Sequence, residues 1–162
     1  MTMAIQNLPF TNTRNYMNLD TMIGILNEDV RNEKKHLLFY LYHSSVVVGA
    51  EALELKEFLT EQAKSELEHV QQFSDMIIGL GALPTTASAC PFVYHYNNNK
   101  KILEAALQME LEVVKSYAER IQQAQDMDAS PEDKKYLEIF LEDQLKDSRK
   151  DVDTIRQILK GM

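Results

Sequence analysis

The chain has 162 residues, 44% of them hydrophobic and 26% charged, with 5 glycines, 4 prolines, a single cysteine and no tryptophan, the proportions of one compact domain. One cysteine excludes an internal disulfide and any zinc or iron–sulfur site built from several thiolates, so the fold must rest on its apolar core. Lys plus Arg number 17 against 25 Asp plus Glu, a net charge of −8 that repels phosphate backbones, argues against nucleic acid as a partner and attracts cations.

The first 18 residues carry one basic residue, Arg14, and lack the basic region and apolar core of a signal peptide. They are expected to form an N-terminal extension, with residues 19–162 as the folded domain. No uninterrupted apolar run approaches the roughly 20 residues needed to cross a bilayer, so the expectation is a cytoplasmic chain with no membrane partner and Cys90 as an unpaired thiol.

Apolar residues recur at three and four positions almost throughout, which predicts helices and no strands. The first segment, from about 19 to 48, has Met22, Leu26, Val30, Glu33, Leu37, Tyr40, Leu41 and Ser44 as its expected inner face, with Gly49 marking its end. The second, from about 50 to 80, aligns Ala52, Leu55, Leu59, Ala63, Glu66, Val70, Phe73 and Ile77 before Gly81-Ala82-Leu83-Pro84 stops it. The third, from about 100 to 125, carries Leu103, Ala106, Leu107, Glu110, Val114, Tyr117 and Ile121. The fourth opens at Ser130-Pro131-Glu132-Asp133, a cap, a first-turn proline and two acids at the positive dipole end, and then aligns Leu137, Phe140, Leu141, Gln144, Leu145, Ser148, Val152, Ile155 and Leu159.

Short links make the first and second segments antiparallel, and likewise the third and fourth. Residues 81–99 between the second and third are long enough, at about 3.3 Å each, to run the length of the rods. The expected fold is an all-α four-helix bundle with one long crossover.

The interruptions of the stripes carry the chemistry. Glu33, Glu66, Glu110 and Gln144 each sit near mid-helix on an apolar face, and three converging carboxylates in an apolar core require a compensating cation. His69 follows Glu66 by three residues, on the same side of the helix, and Glu-x-x-His is an inward-facing metal pair of helical bundles. Oxygen and imidazole donors without thiolate suit iron or manganese at least as well as zinc. The alternative is a structural bundle whose buried acids are satisfied by hydrogen bonds. His36 and Glu68 fall off the stripe centres and are expected at a surface; His43 and His95 have no phased carboxylate partner. Tyr40 and Tyr117 are expected to fill the core, Tyr40 within reach of the site.

Leu26-Asn27 with Asn32-Glu33, then Tyr40 and His43; Ser65-Glu66-Leu67-Glu68-His69 ending in Leu80-Gly81-Ala82-Leu83-Pro84; and Glu110 followed by Ile121 together resemble the ferritin-like superfamily, in its bacterioferritin and bacterial ferritin branch, over residues 19–160. The resemblance implies a di-iron centre at which Glu33 and His69 each hold one iron, Glu66 bridges and Glu110 holds the second. The fourth segment departs from bacterioferritins, which have a second Glu-x-x-His there. Leu141-Glu142-Asp143-Gln144-Leu145-Lys146-Asp147 looks more like the Glu-Gln motif of ordinary ferritins, with Gln144 in the amide position and Asp147 where some bacterial ferritins have a carboxylate.

Leu67 stands where bacterioferritins have a haem-ligating Met, so no haem is expected. The activity implied is ferroxidase: oxidation of Fe(II) by O2 or hydrogen peroxide, with storage or detoxification of iron in a homo-oligomer, a cage among the possibilities. The fold also hosts di-iron oxygenases and peroxidases acting on organic substrates, and it does not by itself choose between them.

Overall fold

The computed structural model describes residues 17–90 and 95–162; most of the N-terminal extension expected from the sequence lies outside them. Four helices follow in chain order: α1 (Leu19–Val46), α2 (Ala52–Gly79), α3 (Asn99–Asp126) and α4 (Pro131–Gly161). At 1.5 Å per residue the first three are rods of about 42 Å. Among the described residues there is no strand, only an isolated parallel bridge between Asn18 and Asp128.

Local chemistry sets the helix ends. The Asn18 side chain accepts from Thr21 N at 2.9 Å, that of Asn98 from Lys101 N at 3.2 Å, and Ser130 Oγ from Asp133 N at 3.1 Å, each satisfying an amide that the first turn leaves without a partner. At the far end of α2, Gly81 takes φ +84. Its N–H donates to Ile78 O and that of Ala82 to Ile77 O, the paired closure that a left-handed glycine permits.

α1 packs along α2 and α3 along α4, with further contact between α1 and α3. The crossover is strapped to α1: Thr85 N donates to Asn27 Oδ1 at 2.6 Å, Ala89 N to Arg31 O at 3.0 Å, and Lys34 Nζ to Thr85 O at 2.7 Å. Farther along, Tyr42 Oη pairs with His95 Nδ1 at 2.9 Å, and Asn99 Nδ2 donates to Val48 O at 2.7 Å. The chain therefore leaves α2 near the start of α1 and begins α3 beside the end of α1. This is the one-crossover bundle expected from the sequence.

The strap changes which α1 residues are buried. Leu41 was placed on the inner face by its spacing, but it is 52% exposed, and Leu37 is half-buried. Phe39 and His43 are buried instead, stacked on each other at 4.2 Å between centroids and covered by Tyr96 of the crossover, 6.5 and 5.7 Å away. In α3 the buried valine is Val113 and Val114 is half-buried.

The apolar interior falls into two blocks. One contains Met22, Leu26, Val30, Phe73, Ile77, Leu137 and Leu141; the other contains Phe39, Leu55, Leu59, Leu103, Ala106 and Ile155. On every helix the residues between the blocks are polar and buried: Glu33 and His36 on α1, Glu66 and His69 on α2, Glu110 on α3, Gln144 and Ser148 on α4.

Candidate metal centre

The polar belt is where the candidate ligands meet. One ligand atom from each of Glu33, Glu66 and His69 lies within 4.8 Å of the other two. His69 Nδ1 stands 3.4 Å from Glu33 Oε2 and 3.4 Å from Glu66 Oε2. The three-residue step turns the helix by about 300°, which brings Glu66 and His69 to one side of α2. Two tyrosines cross between α1 and α3 in opposite senses. Tyr40 donates to Glu110 Oε1 at 2.6 Å, and Tyr117 donates a short hydrogen bond to Glu33 Oε1. Sequence spacing placed Tyr117 in the core without this bond.

The electrostatics separate the acids. Burial pushes Glu33 upward, but hydrogen bonds with Glu66 and His69 outweigh it and hold its carboxyl at about 2. Burial, reinforced by the charge of Glu33, pushes Glu66 well above the usual carboxylate range. Glu110 is pushed up to about 8 by burial, the Tyr40 hydrogen bond offsetting part of this and the charge of Asp151 adding to it. Burial lowers His69, yet its hydrogen bond to Glu33 together with the negative charges of Glu33, Glu110 and Asp151 more than compensates and leaves it raised. The metal-free belt thus holds protons on groups that a cation would ligate.

The donor set fits a divalent metal. Glu66 Oε2 and Gln144 Oε1 are buried and make no hydrogen bond, while Gln144 Nε2 donates to Gln72 Oε1 at 2.6 Å, which leaves its oxygen open. A cation would satisfy both oxygens, whose burial without a partner is otherwise costly. The cavities that reach the belt carry more acids than bases in their walls. One of about 120 Å³ is walled by Asp29, Glu33, His36, Glu112 and Tyr117. Another of about 420 Å³ is walled by Asp75, Asp143, Gln144 and Asp147.

Of the ligands expected from the sequence, Glu33, Glu66 and His69 meet; Tyr40, Glu110 and Gln144 are buried as well, Tyr40 against Glu110 and Gln144 against Gln72. Asp147 is not brought there. Its carboxylate is 46% exposed and pairs with Lys150 at 2.8 Å, because three residues turn it about 60° away from the direction of Gln144. His36, expected at a surface, is instead buried with its Nδ1 unpartnered, since α3 covers that flank of α1; Glu68 is exposed as expected. Spacing also missed Asp29, buried and paired with Arg120 at 3.1 Å, and Asp151, which accepts from Gln62 Nε2 at 3.1 Å.

A family model for the ferritin-like domain matches residues 23–162. The chain belongs to the ferritin-like family. No curated protein sequence matches it. Its fold is similar to that of a ferritin-like, diiron-carboxylate protein from Bacillus anthracis, with TM-score 0.77, 27% identity, and coverage of 87% of this chain and 96% of that one. It is also similar to Rhodobacter capsulatus bacterioferritin (TM-score 0.74, 18% identity, 87% and 84% covered) and to a Dps protein of Vibrio cholerae (TM-score 0.78, 13% identity, 95% and 99% covered). No helix of this ferritin-like chain, among the described residues, is long and apolar enough to cross a membrane.

Proposed function

We propose that this chain is a ferroxidase that takes up Fe(II) in the belt, oxidises it with O2 or hydrogen peroxide, and stores or detoxifies the Fe(III) formed. The observation that carries the reading is the buried meeting of Glu33, Glu66 and His69 within 4.8 Å, with Glu110 also buried and two buried oxygens, on Glu66 and Gln144, lacking hydrogen-bond partners. The diiron-carboxylate description of the Bacillus anthracis protein supports iron as the metal.

In this reading Glu33 and His69 hold one Fe(II), Glu66 spans the pair, and Glu110 with Gln144 Oε1 holds the other. Iron bound there gives up electrons to the oxidant in pairs, which limits release of one-electron oxygen products. The protein supplies hard anionic oxygens that favour the higher iron charge, and the tyrosines fix their orientation: Tyr40 on Glu110, Tyr117 on Glu33. Protons displaced from Glu66 and Glu110 leave as Fe(II) binds. The acid-lined cavities favour a cation over an organic substrate. The one that reaches Glu33 measures about 120 Å³ and carries Asp29 and Glu112 beside it.

Exposed Leu38, Leu41, Leu53 and Leu67 on the outer faces of α1 and α2 support a homo-oligomer. Exposed Leu67 offers no ligand atom for haem. A free, exposed Cys90 suits the reducing cytoplasm. Anaerobic Fe(II) loading followed by air, read by near-ultraviolet absorbance and particle size, tests the reading. Rapid oxidation with retention of many irons per assembly supports storage, oxidation that stops at the first pair reduces the role to a catalyst or sensor, and no oxidation refutes the reading.

A further inference from the structure

α1 packs along α2 and α3 along α4, and in the looser seam between α1 and α3 lies the cavity of about 120 Å³ that has Glu33 in its wall. We propose that this cavity is the doorway through which Fe(II) reaches the belt, with Glu112 at its mouth and His36 as the relay that hands the cation to Glu33. This inference rests on the proposed metal centre and adds to it a route and two residues outside the ligand set.

Exposure is graded along the wall. Glu112 is exposed, His36 is 7% exposed and Glu33 2%, so a cation that meets them in that order passes from solvent to the interior. Glu33 is the threshold. Its Oε1 accepts from Tyr117, itself a wall residue, while its Oε2 stands 3.4 Å from His69. One carboxylate thus belongs to both the cavity and the cluster. The space admits a cation that keeps part of its hydration, since a single water needs only about 15 Å³.

His36 sets this wall apart. Of the side chains that form it, His36 alone has a buried polar atom, Nδ1, without a hydrogen-bond partner, a deficit that a passing cation relieves. It follows Glu33 by three residues, on the same side of α1. Burial holds the ring below its ordinary value, so near neutral pH it is uncharged and offers a nitrogen lone pair to a metal. Other wall groups are already committed, Asp29 to Arg120 and Tyr117 to Glu33.

The larger cavity, between α2 and α4, is the competing entrance. It meets the belt at Gln144, a neutral side chain whose amide is bonded to Gln72, and both residues stand in its wall. A cation entering there meets an amide first. Between α1 and α3 it meets a carboxylate of the three-residue cluster.

The test is the rate of Co(II) capture by the full-length chain without oxidant, followed by stopped-flow absorbance, beside the equilibrium affinity for the same ion and circular dichroism to verify the helices. A relay lowers the barrier in both directions, so its loss slows entry and release together and leaves the affinity unmoved. His36→Leu is expected to slow capture about tenfold at wild-type affinity. Glu112→Gln changes an exposed residue that the fold does not need, and is expected to slow capture about threefold at low ionic strength and less in salt. Asp143→Asn, in the wall of the larger cavity, is expected to capture at the wild-type rate. Wild-type rates in both His36→Leu and Glu112→Gln overturn the doorway and leave the metal centre standing, as does slowing confined to Asp143→Asn, which moves the entrance to the seam of α2 and α4. Weaker equilibrium binding in His36→Leu overturns the relay by making His36 a ligand. A wild-type chain that binds no Co(II) overturns the metal centre and the doorway with it.

Discussion

Tyr40, in the C-terminal half of α1, donates a 2.6 Å hydrogen bond to Glu110 Oε1 near the middle of α3. The bond favours the ionised carboxylate and offsets part of what burial does to Glu110. Tyr40→Phe removes it and keeps the ring. The variant is expected to bind Fe(II) or Co(II) about 3- to 10-fold more weakly near neutral pH, equivalent to roughly 1 kcal/mol, and to require a higher pH for half-maximal uptake. Metal titrations across pH read both changes, and an unmoved pH midpoint contradicts the role given to this hydroxyl.

Glu66 spans both metal positions in the proposed centre. Glu66→Ala is expected to abolish the fast phase of Fe(II) oxidation while leaving the helical spectrum intact. The closer mimic Glu66→Gln should lose oxidation as fully, because the amide carries no charge. Stopped-flow absorbance after mixing with aerated buffer measures it, and wild-type kinetics in either variant would falsify the assignment.

The raised acids set an unusual pH dependence for the metal-free protein. Glu110 is raised from 4.5 to about 8 and Asp29 from 3.8 to about 6, so each holds its proton in the folded state where the unfolded chain has released it. Their contribution to stability is therefore complete below the unfolded value and is lost as pH rises, through about 6 for Asp29 and about 8 for Glu110. Each proton contributes a slope of up to about 1.4 kcal/mol per pH unit in its window. Glu33, lowered to about 2, acts in the opposite sense, and its share is lost as pH falls from about 4.5 toward 2. Urea midpoints of the metal-free chain should decline from pH 5 to pH 8. Saturating Zn(II) should reverse that decline, since deprotonation then favours the bound fold, and a chelator should restore it.

The Asp29–Arg120 pair lies one turn from Glu33 on α1, with Asp29 buried and the Arg120 side chain 18% exposed. Arg120→Ala leaves a buried acid without its cation. The cost should be about 1 to 3 kcal/mol at pH 8 and smaller at pH 5, where Asp29, already raised to about 6, takes up a proton. Chemical denaturation at the two pH values measures the difference, and equal losses would mean that the carboxylate is not the group being left uncompensated.

Most of the architecture was legible because four stripes of period 3.6 end at clear signals: Asn or Ser caps, Pro131, and the Gly81 closure. The belt could be read from the same stripes, because Glu33, Glu66, Glu110 and Gln144 interrupt apolar faces that folding must bury, and His69 falls in phase with Glu66. What escaped depends on packing between elements that a single helical wheel does not contain. Phe39 and His43 are buried because the crossover lies over them. His36 and Asp29 are buried because α3 closes that side of α1.

Among the described residues, no apolar side chain belongs to both of the blocks that the belt separates. Damage on one side therefore reaches the other only through the polar side chains between them. Truncations such as Leu26→Ala and Leu59→Ala, one from each block, are independent lesions whose costs sum, whereas two truncations inside one block interfere through their common cavity.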